Sequence, residues 1–422
     1  MIVPLEQLKS ACPCGQEHPL LTRQILIEKG ATKKVDAVLD SLDFTKRGVI
    51  ICDMNTSGFA QKVAEEIGPK LHPLKPCIVL NPEGLHADEF STAKVKTQLP
   101  MDTEWMMAVG SGTIHDITRY VCKEKGLNFV SFPTAASVDG FVSAVSAMTW
   151  GGYKKTLEGI APIAVIADSD IFPYAPYRLT ASGIGDLLGK YTALADWHMA
   201  HVLIGEPLCQ RIYDLTMEAV DKVRANLTAI KNQETEGCEQ LLYALLLSGL
   251  AMQMWGNSRP ASGSEHHLSH LWEMEVINPH LDALHGEKVG IGLTLCMPFY
   301  KDFAKFSSAE LAKHLFPYPG YPEAMLQEKF GVLYEEIAME NAPDPLLSVT
   351  PQMVLDKLPE IRAILDAMPD ADELRAEMKA AGCLTTLEEI GLTEEIMPLS
   401  ITLSPFLRKR ITLMRLRKLT DL

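Results

Sequence analysis

At 422 residues, 47% hydrophobic and 22% charged, the chain is long enough for two or three domains and a large core that needs no disulfide support. Its 39 Lys and Arg against 54 Asp and Glu leave a net charge of −15. That field repels nucleic acid and anionic membranes as main partners, while a few local cations still admit a small anionic substrate. The nine cysteines, odd in number and scattered from Cys12 to Cys383, exclude a complete disulfide framework and point to a reducing compartment.

In chain order, the first six residues show no basic-then-apolar leader, and a cytoplasmic location is expected. Residues 47–53, 77–80, 105–110, 128–133 and 163–168 read as continuous β-branched and apolar strands, with helical spacing at 58–67 and 114–124 between them. Buried strands alternating with helices predict a mostly parallel sheet covered on both faces, with ligands at the carboxyl ends of its strands. After Pro173 and Pro176 the strand signals fade. Helices are expected at 185–201, 211–226, 239–255, 265–276, 288–303, 322–340, 351–368 and 371–381, with a short turn at 393–397 stopped by Pro398. The longest apolar stretch, 241–255, is broken by Ser248, Gly249 and Gln253 and falls short of the ~20 residues that cross a bilayer; it reads as a buried helix. A basic helix is expected at 406–419, docked on the acidic body or on a sister subunit. The expected architecture is an α/β, Rossmann-like dinucleotide-binding domain over residues 1–175, followed by an all-α metal- and substrate-binding domain over 176–422.

Several segments could carry chemistry. Gly110-Ser111-Gly112-Thr113-Ile114 follows a strand and opens a helix, where glycines let backbone amides approach a pyrophosphate. His115 stands where the common dinucleotide fingerprint has its third glycine, so an ordinary strand–helix turn remains the alternative. Asp53 at an earlier strand end can accept from ribose hydroxyls or be a solvated turn acid. The small-residue loop Thr134-Ala135-Ala136-Ser137, with Asp139 and Ser143 beyond it, suits a cofactor lying along it, or a simple Asp-Gly turn. In the helical half, Asp186 is expected at a helix start, and 262–265 has capping-box spacing. His266 and His270 are four residues apart and share a helix face, and His285 follows. Two imidazoles and a carboxylate with an open position make a catalytic divalent-metal site, with surface or helix-end histidines as the alternative. Cys12, Cys14 and His18 also have a metal pattern, but only three ligands appear where a tetrahedral site takes four, so an incidental or structural role is expected.

Together the segments 110–114, 134–143, 182–186, 263–270 and 284–287 resemble the sn-glycerol-1-phosphate dehydrogenases, relatives of the iron-dependent alcohol dehydrogenases and dehydroquinate synthases. They stand in the family's order over most of residues 48–290, and the flanking chain is similar to the bacterial, nickel-linked branch. The resemblance implies NAD(P)-dependent interconversion of glycerone phosphate and sn-glycerol 1-phosphate, with a divalent ion as Lewis acid. It assigns cofactor contacts to Asp53, Gly110, Ser111, Gly112, Thr113, Ile114, Thr134, Ala135, Ala136, Ser137 and Ser143. It assigns the metal to Asp186, His266 and His285, and the substrate to Asp139, Asp186 and His270, with Asp186 and His270 as the catalytic pair. It further implies NAD(H) or NADP(H), nickel, zinc or iron, and a homo-oligomer, with a dimer favoured. The substrate phosphate needs cations, for which Lys154, Lys155, Lys190 and Arg259 are candidates. A polyol dehydrogenase of the same superfamily and a dehydroquinate synthase-like lyase are the rival readings.

Overall fold

A computed structural model describes residues 5–151 and 153–422, including side chains except at 153 and 154. The leader reading at residues 1–4 and the Lys154 side chain therefore lie outside the described residues. By contacts the chain divides into two compact units, one running through Gly183 and including Asp221–Asn257, the other Ile184–Val220 with Ser258–Leu422.

Among the described residues the first unit carries eight strands: β1 Gln24–Glu28, β2 Gly48–Asp53, β3 Cys77–Leu80, β4 Trp105–Gly110, β5 Asn128–Pro133, β6 Val145–Trp150, β7 Tyr153–Glu158 and β8 Ala164–Asp168. Six form one sheet in the order β1-β8-β5-β4-β2-β3, and every pairing in it is parallel. Successive side chains of a strand face opposite ways. Accordingly Ile50 and Cys52 join a core cluster with Val35, Val63 and Ile166, while Val49 and Ile51 join another with Ile114, Ile117 and Val121. Both faces are thus covered, which is why these strands are apolar throughout. The chain runs outward from β2 to β3 and then returns to the other side of β2 as β4, so the direction of winding reverses between β2 and β4. Open α/β sheets bind ligands at that point.

The helices that matter for function are α1 Ser57–Ile67, α2 Gly112–Lys125, α3 Tyr177–Leu188, α4 Lys190–Ile204, α5 Thr235–Trp255, α6 Ser264–Glu273 and α7 His285–Lys305. The apolar stretch at 241–255 forms the buried end of α5, which packs within the sheet-bearing unit although it lies downstream of residue 175. Gly249 permits this approach, because a Cβ there would stand 2.4 Å from Val142 Cγ2 and 2.6 Å from the Asp139 carbonyl oxygen.

Several elements differ from expectation. β1 and the antiparallel β6–β7 hairpin were not expected; the hairpin is polar and half-exposed, so it lacks the apolar run that marks the sheet strands. The helix expected at 185–201 is two helices that change at Gly189, where a Cβ would lie 2.7 Å from Val289 Cγ1. The one expected at 322–340 is split at Gly331, which has φ 53°. Pro398 does not stop a turn; it sits in the first turn of a helix, Met397–Leu403, where its missing N–H costs nothing. The basic helix expected at 406–419 does not form as one helix: residues 407–412 are not helical, and after them only the short turn Leu413–Leu416, continued by a 3₁₀ turn at Arg417–Leu419, is in helical form. The arginines account for this. Arg415 is fully buried, donating to Asp344 Oδ1 at 2.9 Å, Asn341 Oδ1 at 2.8 Å and the carbonyls of Pro405 and Arg408, and the non-helical bend at 407–412 folds the chain back onto it.

Candidate active site

In the sheet-bearing unit the expected cofactor segments lie at the carboxyl ends of three adjacent strands, β2, β4 and β5. Asp53 ends β2. Its Oδ1 accepts from the Thr56 amide at 2.9 Å, and the single hydroxyl proton of Thr56 is shared between Asp53 Oδ1 at 2.9 Å and the Val109 carbonyl at 3.0 Å. This turn leaves Asp53 Oδ2 without a partner among the described residues. Gly110 ends β4, Ser111 precedes α2, and Thr113 and Ile114 fall in the first turn of α2. A Cβ on Gly110 would lie 2.8 Å from the Ile114 side chain, so glycine allows strand and helix to meet tightly. His115 fills the place of the missing third glycine as a structural group. Its Nδ1 lies 2.9 Å from the Ser111 carbonyl and its Nε2 2.8 Å from Ser131 Oγ. A carbonyl only accepts, so Nδ1 carries the proton and Nε2 accepts from the serine. Burial drives its pKa down to about 3, which keeps the ring neutral.

The loop after β5 contains Thr134, Ala135, Ala136 and Ser137, all buried. Ser182 of α3 donates to the Ser137 carbonyl at 3.3 Å. Asp139 Oδ2 accepts from Ser248 of α5 at 2.8 Å, and Ser143 Oγ accepts from the Val145 amide at 3.0 Å where the hairpin begins. Arg119 was not singled out in the sequence, yet it is 1% exposed and donates to Asp116 Oδ1 and to the carbonyls of Gly140 and Val145. It holds the loop from α2.

In the helical unit Asp186, His266 and His285 come together, with one ligand atom from each lying within 4.8 Å of the others. Asp186 sits near the end of α3 rather than at a helix start, because α3 begins directly after Pro176. It is completely buried, and its Oδ1 lies 2.7 Å from Lys190 Nζ and 3.5 Å from His266 Nε2. Burial pushes the carboxyl pKa up, but the charge of Lys190 and the contact with His266 overcome it and hold the group well below the usual carboxylate range. His266 Nδ1 lies 2.6 Å from Glu265 Oε1 and His285 Nδ1 lies 2.9 Å from Glu273 Oε1. Each imidazole donates there to a carboxylate and keeps its lone pair on Nε2, the arrangement that orients metal-ligating histidines. Burial and Lys190 lower the His266 pKa, yet bonds to Asp186 and Glu265 leave it raised, so positive charge is favoured between these carboxylates. Donor types, spacing and local potential all fit a divalent cation.

The capping box expected at 262–265 does not form. The N-cap of α6 is Gly263, where a Cβ would stand 2.7 Å from Ala193 Cα. Glu265 instead turns inward and accepts from the Gly263 amide, Thr192 Oγ1 and His266. Buried Asp196 of α4 serves the helix end, taking the amide and hydroxyl of Ser264 at 2.9 and 3.0 Å, and its other oxygen takes Tyr300 and the Leu413 amide.

His270 lies beside the trio, its ring centroid 5.9 Å from that of His266 and 5.7 Å from that of His285. Burial presses its pKa well below the ordinary value, against the raising effect of Glu273. Burial thus favours the neutral ring. Its Nδ1 and both ring nitrogens of buried His267 have no hydrogen-bond partner among the described residues. The charges of Arg410, Arg408 and Arg259 all bear on His267, and Arg408 bears on His270. Arg410 is held by the Ser262 carbonyl at 2.8 Å and Ser258 Oγ at 2.9 Å, and Arg259 by Glu206 at 2.7 Å. Of the four expected phosphate cations, Lys190 is committed to Asp186 and Arg259 to Glu206, while Lys155 belongs to β7 in the other unit. Arg408 and Arg410 were read only as members of a basic helix.

Residues 26–176 match the family described as iron-containing alcohol dehydrogenase. Over 417 residues the chain is 31% identical to the glycerol-1-phosphate dehydrogenase (NAD(P)+) of Bacillus licheniformis, covering 98% of this chain and 93% of that one. An enzyme of the same description from Thermococcus kodakarensis is 32% identical over 279 residues, 66% of this chain and 78% of its own. Among solved structures, a glycerol dehydrogenase from Schizosaccharomyces pombe has a TM-score of 0.57 at 21% identity, covering 83% of this chain and 91% of that one. A putative alcohol dehydrogenase from Ralstonia eutropha has a TM-score of 0.59 at 16% identity, covering 92% and 90%. At those identities the two structures bear on the fold, and the fold agrees with the parallel sheet and the helical portion described above. The chain belongs to the glycerol-1-phosphate dehydrogenases of the iron-containing alcohol dehydrogenase superfamily, NAD(P)- and metal-dependent oxidoreductases.

Proposed function

We propose that the protein interconverts glycerone phosphate and sn-glycerol 1-phosphate, with residues 1–175 holding the dinucleotide and 176–422 holding metal and substrate. The observation that carries this reading is the Asp186–His266–His285 donor set, its first two members buried and His285 half-buried, with an unpartnered His270 nitrogen and an arginine cluster beside it. When bound, the divalent ion supplies Lewis acidity to a carbonyl or alkoxide oxygen and NAD(P)H supplies the hydride.

The chain's own residues do the rest. Asp53 Oδ2 reads the ribose, and the amides at the start of α2 with the 134–137 loop line the cofactor, helped by Ser143. Asp186, His266 and His285 hold the ion, with Glu265 and Glu273 fixing the imidazoles. His270, held neutral, donates its one ring proton to the substrate; with a single N–H it orients an oxygen without adding charge. Asp139, pinned by Ser248, accepts from a substrate hydroxyl. Arg408 and Arg410 hold the phosphate, since guanidinium groups match phosphate oxygens in pairs.

The reading takes nickel or zinc as the ion, with iron as a further choice. The homodimer rests on the family resemblance alone, and the cytoplasmic setting on the odd, scattered cysteines read as reduced; no helix among the described residues is long and apolar enough to cross a membrane. The test is NAD(P)+ reduction with both glycerol phosphate enantiomers and with glycerol. Oxidation of sn-glycerol 1-phosphate alone is expected. Preference for glycerol would make this a polyol dehydrogenase, and turnover without net change in NAD(P)H would make it a lyase.

A further inference from the structure

Cys12, Cys14 and His18 lie in the sheet-bearing unit and share no residue with the Asp186 centre. Residues 12–15 form a tight turn closed by the Gly15 amide donating to the Cys12 carbonyl at 3.0 Å. Pro13 occupies its second position, and Gly15, at φ 77°, its last; these are places where such turns favour proline and glycine. The turn brings both thiols to one side. Their Sγ atoms and a ring nitrogen of His18 all lie within 4.8 Å of one another, with Cys14 Sγ 3.1 Å from His18 Nε2. No disulfide involves either cysteine.

The histidine is already set for ligation. Its Nδ1 lies 2.9 Å from the Met254 carbonyl near the end of α5. Because a carbonyl only accepts, Nδ1 keeps the proton and Nε2 turns its lone pair toward the thiols. Ligating imidazoles are oriented by this kind of outer hydrogen bond. Donors around a tetrahedral zinc stand roughly 3.5–3.8 Å apart, given Zn–S and Zn–N lengths of about 2.3 and 2.0–2.1 Å, and this cluster needs only small side-chain adjustments to reach that spacing.

We propose that Cys12, Cys14 and His18 bind a structural zinc ion. Two soft thiolates with an imidazole select zinc over the hard cations. The three donors leave one tetrahedral position for a further thiolate, which serine replacement of the remaining cysteines identifies. The ion displaces the two thiol protons and ties the amino-terminal segment, through His18 and Met254, to α5. It fastens the helix whose Gly249 and Ser248 meet the Asp139 loop.

Cobalt replacement tests the site with a readout independent of turnover. The full-length protein, stripped and refilled with Co(II), is expected to show thiolate-to-cobalt charge-transfer absorption in the near ultraviolet and intense tetrahedral bands in the visible. The Asp186 centre has no sulfur donor and produces no thiolate band. The band should therefore persist in His266→Ala and vanish when Cys12→Ser and Cys14→Ser are combined. Its absence from the unsubstituted protein, or its survival in the double variant, would overturn the proposal. Should the double variant not fold, alkylation of the unsubstituted protein decides. Exposed Cys14 is expected to react with iodoacetamide only after a chelator removes zinc, and equal reactivity before and after would sink the idea.

Discussion

Glu273 Oε1 accepts from His285 Nδ1 at 2.9 Å although the two residues close different helices' ends, α6 at its last position and α7 at its first. The carboxylate fixes the imidazole before any ion arrives. Glu273→Ala should weaken metal affinity by about 10–100-fold, the usual effect of removing such a support, while the three donors remain. Competition against a chromogenic chelator measures this, and unchanged affinity would mean that Glu273 is only a partner for Lys288, 3.5 Å away.

Metal removal gives the second prediction. Exhaustive chelation should abolish turnover, and nickel or zinc should restore it while magnesium should not, since imidazole donors suit the former ions. Full activity in protein shown to be metal-free by elemental analysis would refute the role assigned to Asp186, His266 and His285.

How much of this was readable beforehand follows from where the information sits. β2, β4, β5 and β8 were legible because both sheet faces are buried and the strands are apolar throughout. The four-residue edge strand β3 was legible too, being apolar throughout, whereas β1 was not, since its three apolar residues stand between polar Gln24 and Glu28, and the β6–β7 hairpin is polar. The motif order at 110–114, 134–143 and 263–270 carried the family, because glycines, short side chains and histidines are each demanded by a close approach or a ligand. Supporting partners were hidden by sequence distance. Glu273 meets a residue 12 positions on, and Asp196 meets Ser264 68 positions on and Leu413 217 positions on. Arg408 and Arg410 were visible only as charge, and helical spacing of Leu407, Ile411 and Met414 suggested a helix that the buried Arg415 network overrides.

Asp53 gives the third prediction. Its Oδ1 is held by Thr56, so Asp53→Asn keeps the turn, with the amide oxygen accepting in place of Oδ1, while the negative charge is lost. If Asp53 reads the ribose, a 2′-phosphate would meet that charge in the unaltered protein, so NADH should be preferred. The variant should narrow the NADH-to-NADPH ratio of kcat/KM by roughly tenfold, a like-charge effect of about 1.4 kcal/mol. An unchanged ratio would show that Asp53 does not read the ribose.

His115 predicts a pH dependence of stability. Its folded pKa of about 3 lies below the ordinary 6.5, chiefly through burial. The unfolded chain therefore binds a proton more readily, and stability is fully present above pH 6.5 and lost as pH falls toward 3. The slope contributed is at most about 1.4 kcal/mol per pH unit. His115→Gln should be less stable at neutral pH by roughly 1–3 kcal/mol, through one or both lost hydrogen bonds. It should also show a shallower decline on acidification, by one proton's worth. Urea unfolding at a series of pH values reads both, and parallel profiles for the two proteins would mean that His115 is already protonated or exposed.

His270 and His266 share a face of α6, yet the structure gives them different surroundings. His266 is gripped by Glu265 and Asp186, whereas His270 has an unpartnered Nδ1 and a pKa pressed well down by burial. His270→Ala should leave metal content intact and lower kcat/KM for the phosphorylated substrate, because a neutral donor to the substrate is gone and no ligand is lost. His266→Ala should lose the ion, one of three protein donors having been removed. The two residues stand one helical turn apart, so a difference between the variants cannot come from general damage to α6, and far-ultraviolet circular dichroism should be alike for both. Loss of metal from both would make His270 a ligand, recruited with Glu273 and His285, whose donor atoms also cluster with it. Unaltered kinetics in His270→Ala would leave it as a packing residue, and the substrate would then be oriented by Asp139 and the arginines alone.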